Sequence, residues 1–304
     1  MAELRSGRIV GLHRLSPGLA IFHLVPVDGT TFPGYQAGQN IALRRDDCLL
    51  TKKVKEGSEV SYVPDLDSDG KQKRGPVTHS YSIASAPFET DQGSYLEFYI
   101  VLERNLEGAP GRFTESLFRI ESDGDDRLSY MERIVGDFTL AKRATGYDHV
   151  LMVATGTGLA PFVSMVKQLH FEARRDAPAQ YTLLCANRTF EELAYHQELL
   201  EIEASNKFDF VYVPSVSRPT ERDRADAQIG IGRANNLFRH IFGFPPLEPN
   251  AVVPELPRSR TLATLQKRIA PSHTVVLTCG NPAGMADIAW TAEQTGMRFE
   301  KEDW

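Results

Sequence analysis

His149-Val-Leu-Met-Val-Ala-Thr-Gly-Thr-Gly-Leu-Ala-Pro161 is the stretch that decides the fold. Val150 to Ala154 is an unbroken apolar run, the pattern of a short strand covered on both faces. Gly156 and Gly158 then interrupt it, and Pro161 opens a helical pattern that reaches Ala173. Two glycines let backbone amides come close to an anion, and the helix N-terminus adds its partial positive charge. Proline is tolerated in the first helical turn, where its missing N–H would have had no partner. The common dinucleotide fingerprint has glycine where Pro161 stands, so the turn alone also fits an ordinary strand-to-helix junction.

Outward from this turn the same alternation repeats. Tyr181 to Ala186 reads as a strand and Glu191 to Ala204 as a helix; Phe208 to Val213 and Thr274 to Thr278 read as further strands, and Leu262 to Ile269 as a further helix. Strand–helix alternation predicts a parallel sheet with helices on both faces. Upstream the character differs. Arg8 to Val27 holds apolar runs broken at Ser16-Pro17-Gly18, and Gln39 to Leu43, His79 to Ala84 and Tyr95 to Leu102 read as strands between Pro, Gly and Asp punctuation. That pattern predicts a small antiparallel β-barrel. The expected organisation is two domains, residues 1–143 and 144–304. A polar insertion covers about 44–77, and a second insertion covers about 239–262, where Pro245, Pro246, Pro249, Pro254 and Pro257 mark a loop.

Bulk properties remove several function classes. The chain has 304 residues, is 41% hydrophobic and 24% charged, and carries a formal net charge of -6, which gives no global attraction to nucleic acid or an anionic membrane. The N-terminal residues lack the apolar core of a signal peptide, and no run of about 18 uncharged apolar residues occurs, so a cytoplasmic protein without membrane insertion is expected. Cys48, Cys185 and Cys279 are far apart and cannot supply the four ligands of an iron–sulfur cluster or a zinc site. No metal site is expected: the acidic run Asp65 to Gly70 lacks the later glutamate of a calcium loop. Any redox centre must then be organic and bound.

Several motifs, in order, resemble those of the ferredoxin–NADP reductase family. His79-Ser-Tyr-Ser-Ile-Ala-Ser85 resembles its flavin strand motif, Leu96-Glu-Phe-Tyr-Ile-Val101 the next flavin strand, and Gly111-Arg-Phe-Thr114 the turn that holds the flavin diphosphate. Gly136-Asp-Phe-Thr-Leu140 resembles the end of the barrel domain, the turn at Gly156 the NADP-binding turn, and Cys279-Gly-Asn-Pro282 the motif at the nicotinamide end. The chain stops at Trp304, and bacterial members of that family often end in an aromatic residue. The resemblance implies an FAD-binding barrel domain followed by an NADP-binding α/β domain.

Site residues follow from that resemblance one by one. For FAD it implies His79, Tyr81, Ser82, Ile83, Tyr99, Ile100, Gly111, Arg112, Phe113, Thr114, Thr157 and Trp304; for NADP it implies Gly156, Gly158, Pro161, Arg188, Ser217, Arg218, Arg233, Cys279, Gly280, Asn281 and Pro282. Ser82, Cys279 and Trp304 are the candidates at the reacting centre: Ser82 to hydrogen-bond the flavin, Cys279 to orient the nicotinamide, and the terminal indole to stack over the ring. Glu300 and Glu302 are candidates for proton traffic. His79 departs from the family, which has arginine there, and a histidine is only partly charged at neutral pH. Arg188, Arg218 and Arg233 favour NADP(H) over NAD(H), because a 2′-phosphate needs cationic donors whereas a ribose diol is met by an acidic residue.

The implied activity is hydride exchange between NADP(H) and flavin, with single electrons passed to or from a ferredoxin or flavodoxin. Such acidic carriers call for a basic surface, for which Lys71, Lys73, Arg74, Arg104, Arg112, Lys142 and Arg143 are the available cations. Three alternatives stay open at this point: an NAD(P)H-dependent reductase component for an oxygenase or cytochrome, a non-catalytic flavin-binding subunit, and a degenerate relative that lost FAD through the change at His79.

Overall fold

A computed structural model of the chain describes residues 3–56, 59–105, 108–173 and 180–302. The chain divides into two compact units: Met1–Pro33, Asn40–Tyr81 and Gly93–Val135 form the first, and Gly34–Gln39, Ser82–Gln92 and Gly136–Trp304 the second.

The first unit is built on β1 (Leu4–Ser16), β2 (Leu19–Pro26), β3 (Asn40–Leu49), β4 (Thr51–Glu56), β5 (Glu59–Pro64), β6 (Arg74–Ser82), β7 (Leu96–Val101) and β8 (Arg127–Met131). Six of these form one sheet in the order β6-β3-β8-β1-β2-β7, and the registered pairs β1–β2, β1–β8, β2–β7 and β3–β8 are antiparallel. Period-two patterning explains the strands: Phe22 and Leu24 of β2 and Phe98 of β7 are fully buried, and the Phe22 and Phe98 rings stack at 5.3 Å.

The polar segment 44–77 is only partly an excursion. β4 and β5 form a separate hairpin, but Arg44–Leu49 continue β3 and Arg74–Val77 begin β6. Ile41, Leu43 and Arg45 alternate inward along β3, and Arg45 is 2% exposed. A guanidinium tolerates that position because Asp47, Ser116 Oγ and the Asp125 carbonyl oxygen receive its protons. In the acidic run, Asp67 accepts from the amides of Asp69 and Lys71 and closes its own turn.

The second unit carries β9 (His149–Thr155), β10 (Gln180–Asn187), β11 (Phe210–Val216), β12 (Gly230–Ile231), β13 (Thr274–Cys279) and β14 (Arg298–Lys301). They form a parallel sheet in the order β12-β11-β10-β9-β13-β14. Chain order runs outward from β9 in both directions, so the ends of β9 and β13 flank the switch point where open parallel sheets bind ligands. The helix Ala160–Glu172 follows β9, and the helix expected from Glu191 is split: a short turn at Phe190–Glu192 precedes the helix His196–Ala204, with Tyr195 between them at φ 60°. Leu151, Val153, Leu184, Val213, Val276, Phe238 and Ile288 pack into the core of this unit.

The second insertion is tied to the sheet edge. Ile231 and Glu255 exchange both backbone hydrogen bonds, at 2.7 and 2.9 Å, and the buried Arg239 pairs with Asp287 while donating to the Pro245 carbonyl oxygen. Among the described residues no helix is long and apolar enough to cross a membrane, and no group of three or more His, Cys, Asp or Glu side chains is placed to hold a metal.

Candidate functional site

The glycine turn and the Cys279 turn interlock. A Cβ built on Gly158 would stand 2.1 Å from the Cys279 carbonyl oxygen, and one on Gly280 would stand 2.2 Å from Thr155 Oγ1. Gly280 also sits at φ 128°, where other residues are strained. The Asn281 amide donates to Thr155 Oγ1 at 3.0 Å. Asn281 then caps the helix Pro282–Thr295 by accepting from the amides of Ala283 and Gly284, with Pro282 in its first turn. Gly156 adopts φ 57°, Thr157 is half-buried in the single turn Gly156–Leu159, and the buried Pro161 lies in the first turn of the next helix. Two helix N-termini therefore follow the switch-point strands β9 and β13.

Ser82, Cys279 and Glu302 meet in a buried trio within this unit. The Ser82 hydroxyl lies 3.0 Å from both Glu302 carboxylate oxygens, and the Cys279 thiol donates to Glu302 Oε2 at 2.9 Å. Glu302 is 3% exposed. Burial raises its pKa above the ordinary carboxylate value, with the hydrogen bonds from Cys279 and Ser82 acting in the opposite direction. Burial also pushes the Cys279 thiol well above its usual range, and the neighbouring Glu302 charge pushes it further. The thiol thus stays protonated and is not a nucleophile. Chemically, the trio places a carboxyl group of raised pKa in a dry place beside an O–H and an S–H donor. Glu300 takes no part: its oxygens are paired to Arg143 and Arg298.

The arginines separate into two kinds. Arg188 and Arg218 are exposed at the ends of β10 and β11, their backbones are joined by a 2.8 Å hydrogen bond from the Arg218 amide to the Arg188 carbonyl oxygen, and among the described residues neither has an acidic partner. Ser217 lies between these strands, its amide bonded to the Asn187 carbonyl oxygen. Arg233, at the start of the helix Ala234–Ile241, is instead paired to Glu248 at 2.7 Å.

The residues expected to face a flavin fall in both units. In the first, the Tyr81 and Phe113 rings stack at 5.3 Å, and the exposed His79 meets Phe113 edge-on at 5.9 Å. Burial, with the Glu103 carboxylate next in weight, raises the Tyr81 pKa, so the phenol is neutral. Thr114 is buried; its hydroxyl donates to the Gly111 carbonyl oxygen and accepts from the Glu103 amide, which uses its only proton. Arg112 is exposed, and Tyr99 and Ile100 are buried in β7. Arg74 stands 3.9 Å from Asp47. In the second unit Ile83 is fully buried, and its amide donates to Gln39. Trp304 lies outside the described residues. Several cations of the expected basic surface are already paired: Lys73 with Asp65, Lys142 with Asp137 and Arg143 with Glu300.

Fold and site define a protein with an antiparallel β unit and a parallel-sheet nucleotide-binding unit whose switch point carries a glycine turn. Residues 152–238 match the profile of the oxidoreductase NAD-binding domain. A ferredoxin–NADP reductase of Azotobacter vinelandii is 28% identical over 191 residues, 60% of this chain and 66% of that protein, so the chain spans just under two thirds of the length of that curated relative. A ferredoxin NADP+ reductase from Neisseria gonorrhoeae, solved with bound FAD and NADP, has a similar fold, with a TM-score of 0.63, 19% identity and 99% of each chain covered. The cytochrome b5 reductase domain of Ulva prolifera nitrate reductase has a TM-score of 0.63 at 14% identity, covering 98% of this chain and 97% of that one. Over the stretch it matches, the chain is similar to ferredoxin–NADP reductases.

Proposed function

We propose that this chain is an FAD-dependent oxidoreductase that exchanges hydride between NADP(H) and flavin and passes single electrons to or from ferredoxin or flavodoxin. One observation carries the reading: the Ser82–Glu302–Cys279 trio is joined through Cys279 and Gly280 to the glycine turn at the sheet's switch point. In this reading residues 1–143 take the flavin and 144–304 the pyridine nucleotide.

The residues present fit both groups. The space a Cβ would fill at Gly158 and Gly280 is already taken by backbone, so the two strand ends close into one amide-rich turn suited to a pyrophosphate. Arg188 and Arg218, joined through their backbone and without acidic partners among the described residues, suit a 2′-phosphate. On the flavin side, Tyr81 offers a neutral phenol with its ring stacked on Phe113. His79, Ser82, Ile83, Tyr99, Ile100, Gly111, Arg112, Phe113, Thr114, Thr157 and Trp304 complete the proposed flavin set. The Thr114 proton is spent on Gly111, so the diphosphate would rest on Arg112 and the amides of this turn rather than on that hydroxyl.

When bound, the two cofactors supply hydride chemistry and the exchange between paired and single electrons. The protein's part is to orient and exclude water. Cys279 packs and orients as a protonated thiol. Ser82 and Cys279 hold their protons on Glu302, a carboxyl group shielded from solvent whose pKa burial raises. Such a group can give or take a proton without drawing on bulk water.

An absorption spectrum of the purified protein, followed by anaerobic titration, tests the reading. The protein should be yellow and should bleach with NADPH far more readily than with NADH. A protein that stays colourless after reconstitution with FAD refutes it, and equal bleaching by both nucleotides favours the reductase-component alternative.

A further inference from the structure

The second insertion brings a carboxylate to one of the arginines of the coenzyme reading. Glu248 Oε1 lies 2.7 Å from Arg233 Nη1, and Glu248 Oε2 lies 3.4 Å from Asn236 Nδ2. Asn236 Oδ1 in turn accepts from the Leu247 amide at 3.0 Å, which fixes the loop beside the glutamate. These groups line a cavity of about 260 Å³ together with Ser217 and Gly232. The Gly232 amide bonds to the Val216 carbonyl oxygen, so the cavity opens beside the end of β11, next to Arg218 in sequence. It therefore joins a half-buried hydroxyl, a guanidinium and a side-chain amide, the donors that a phosphomonoester takes. Its one acidic member is Glu248.

We propose that Glu248 is an internal stand-in for a phosphate and sets coenzyme selectivity: it occupies Arg233, and a 2′-phosphate must displace it to use that arginine. This rests on the NADP(H) reading and deepens it. Three observations support it beyond the ion pair. Arg188 and Arg218 are left without acidic partners among the described residues, whereas Arg233 is engaged. Glu248 comes from a loop anchored on both sides, by Arg239 on the Pro245 carbonyl oxygen and by the Ile231–Glu255 exchange, so the carboxylate is delivered by design of the loop and not by a free tail. Its side chain is 42% exposed and Arg233's 62%, so the pair can part without opening the core. A dianionic phosphate entering beside a retained carboxylate meets like charge, whereas an unphosphorylated ribose does not.

The selectivity of the protein is accordingly the resultant of two arginines that favour the phosphate and one glutamate that opposes it. Glu248→Gln keeps the size of the side chain and one of its two acceptor oxygens, and removes the charge.

The test is calorimetric titration of the full chain with adenosine 2′,5′-bisphosphate and, separately, with adenosine 5′-monophosphate. Glu248→Gln should bind the bisphosphate about tenfold more tightly than wild type and leave the monophosphate within about twofold, a coupling of ordinary size between two sites that share a group. Glu248→Lys should widen the preference further. Arg218→Ala serves as the control for the underlying reading. If Arg218→Ala loses bisphosphate binding but Glu248→Gln and Glu248→Lys match wild type, the glutamate is only a loop anchor and the proposal is wrong. If wild type itself does not distinguish the bisphosphate from the monophosphate and Arg218→Ala changes neither, the NADP(H) reading fails and this proposal with it.

Discussion

Gly158→Ala should unseat the junction on which the site is built, and the size of the effect can be worked out from the contacts. The added methyl would stand 2.1 Å from the Cys279 carbonyl oxygen, 2.3 Å from its carbon and 2.5 Å from the Gly280 nitrogen. Ordinary contact begins at 3.4 Å, so the methyl is about an ångström too close to all three atoms. All three are backbone atoms, and no side-chain rotation can relieve them. The φ of Gly158 is not in the left-handed region, so the penalty is one of space and not of backbone conformation. Overpacking of this kind costs roughly 3 kcal/mol, the upper part of the usual range, because strand ends must separate. In a protein of this size that lowers the melting temperature by roughly 6–12 °C. Gly284 supplies an internal control four residues beyond Gly280: its Cβ would lie 3.6 Å from Thr155 Cγ2, in ordinary contact, and inside a helix. Gly284→Ala should therefore be neutral or stabilise by up to about 1 kcal/mol. Thermal melting followed by circular dichroism reads both. A Gly158→Ala protein that melts within about 2 °C of wild type would refute the argument.

Three further outcomes are expected. His149 is 2% exposed and bonded to Thr274 and Thr182, and burial, with Arg268 nearby, drops its pKa from 6.5 to about 3. The stability this neutral ring gives is present above its unfolded pKa and is lost as pH falls toward the folded one, so acidification from pH 8 to pH 4.5 should remove about 2–3 kcal/mol, measured by urea unfolding, and His149→Gln should flatten that decline. Glu302→Gln should lower kcat about a hundredfold with little change in KM for NADPH. Because burial raises the Glu302 pKa, its ionised form opposes folding once pH exceeds that value; the same variant should melt higher than wild type at pH 8, with the gain vanishing toward pH 4. Arg218→Ala should raise KM for NADPH by roughly 10- to 100-fold, the loss of charge-assisted bonds, and leave KM for NADH nearly unchanged; equal changes in both would remove Arg218 from phosphate binding.

Legibility in the sequence followed the type of pattern. β9 and its glycine turn could be read directly, because a strand covered on both faces and a turn needing close backbone approach both leave plain marks in residue type. β3 was cut short at Leu43 because its next inward residue is Arg45, whose charge hides the period of two; only the acceptors from elsewhere in the chain make that burial tolerable. β14 escaped for the opposite reason: Arg298-Phe-Glu-Lys301 is a short edge strand with too few apolar residues to show a period. The break at Tyr195 had no marker, since it is a non-glycine residue at positive φ. Of the two terminal acids, nothing local distinguished Glu300 from Glu302. Their separation depends on Arg143 and Arg298 capturing the first and on Ser82, 220 positions away in the chain, receiving the second. Motif order puts Arg233 among the coenzyme residues, but its pairing with Glu248 crosses a loop and has no sequence mark.

The links around β13 make the turn, the thiol and the acid one mechanical unit. Thr278 Oγ1 donates to the Val153 carbonyl oxygen, the Glu302 amide donates to the Thr278 carbonyl oxygen, and Asn281 is bonded to Thr155. Residues that would touch the nucleotide thus lie at the ends of β9 and β13, and Glu302, just past β14, is tied to β13 through Thr278 and Cys279. A displacement of about an ångström at Gly158 moves the Cys279 carbonyl oxygen, and the Cys279 side chain is bonded to Glu302. Gly158→Ala should therefore alter the titration of Glu302 as well as stability, whereas Gly284→Ala, which leaves the strand ends in place, should alter neither. Carboxyl-region infrared difference spectra between pH 4 and pH 8 can separate the two outcomes: an unchanged Glu302 band in a destabilised Gly158→Ala protein would mean that turn and acid are only neighbours in space, not coupled parts of one site.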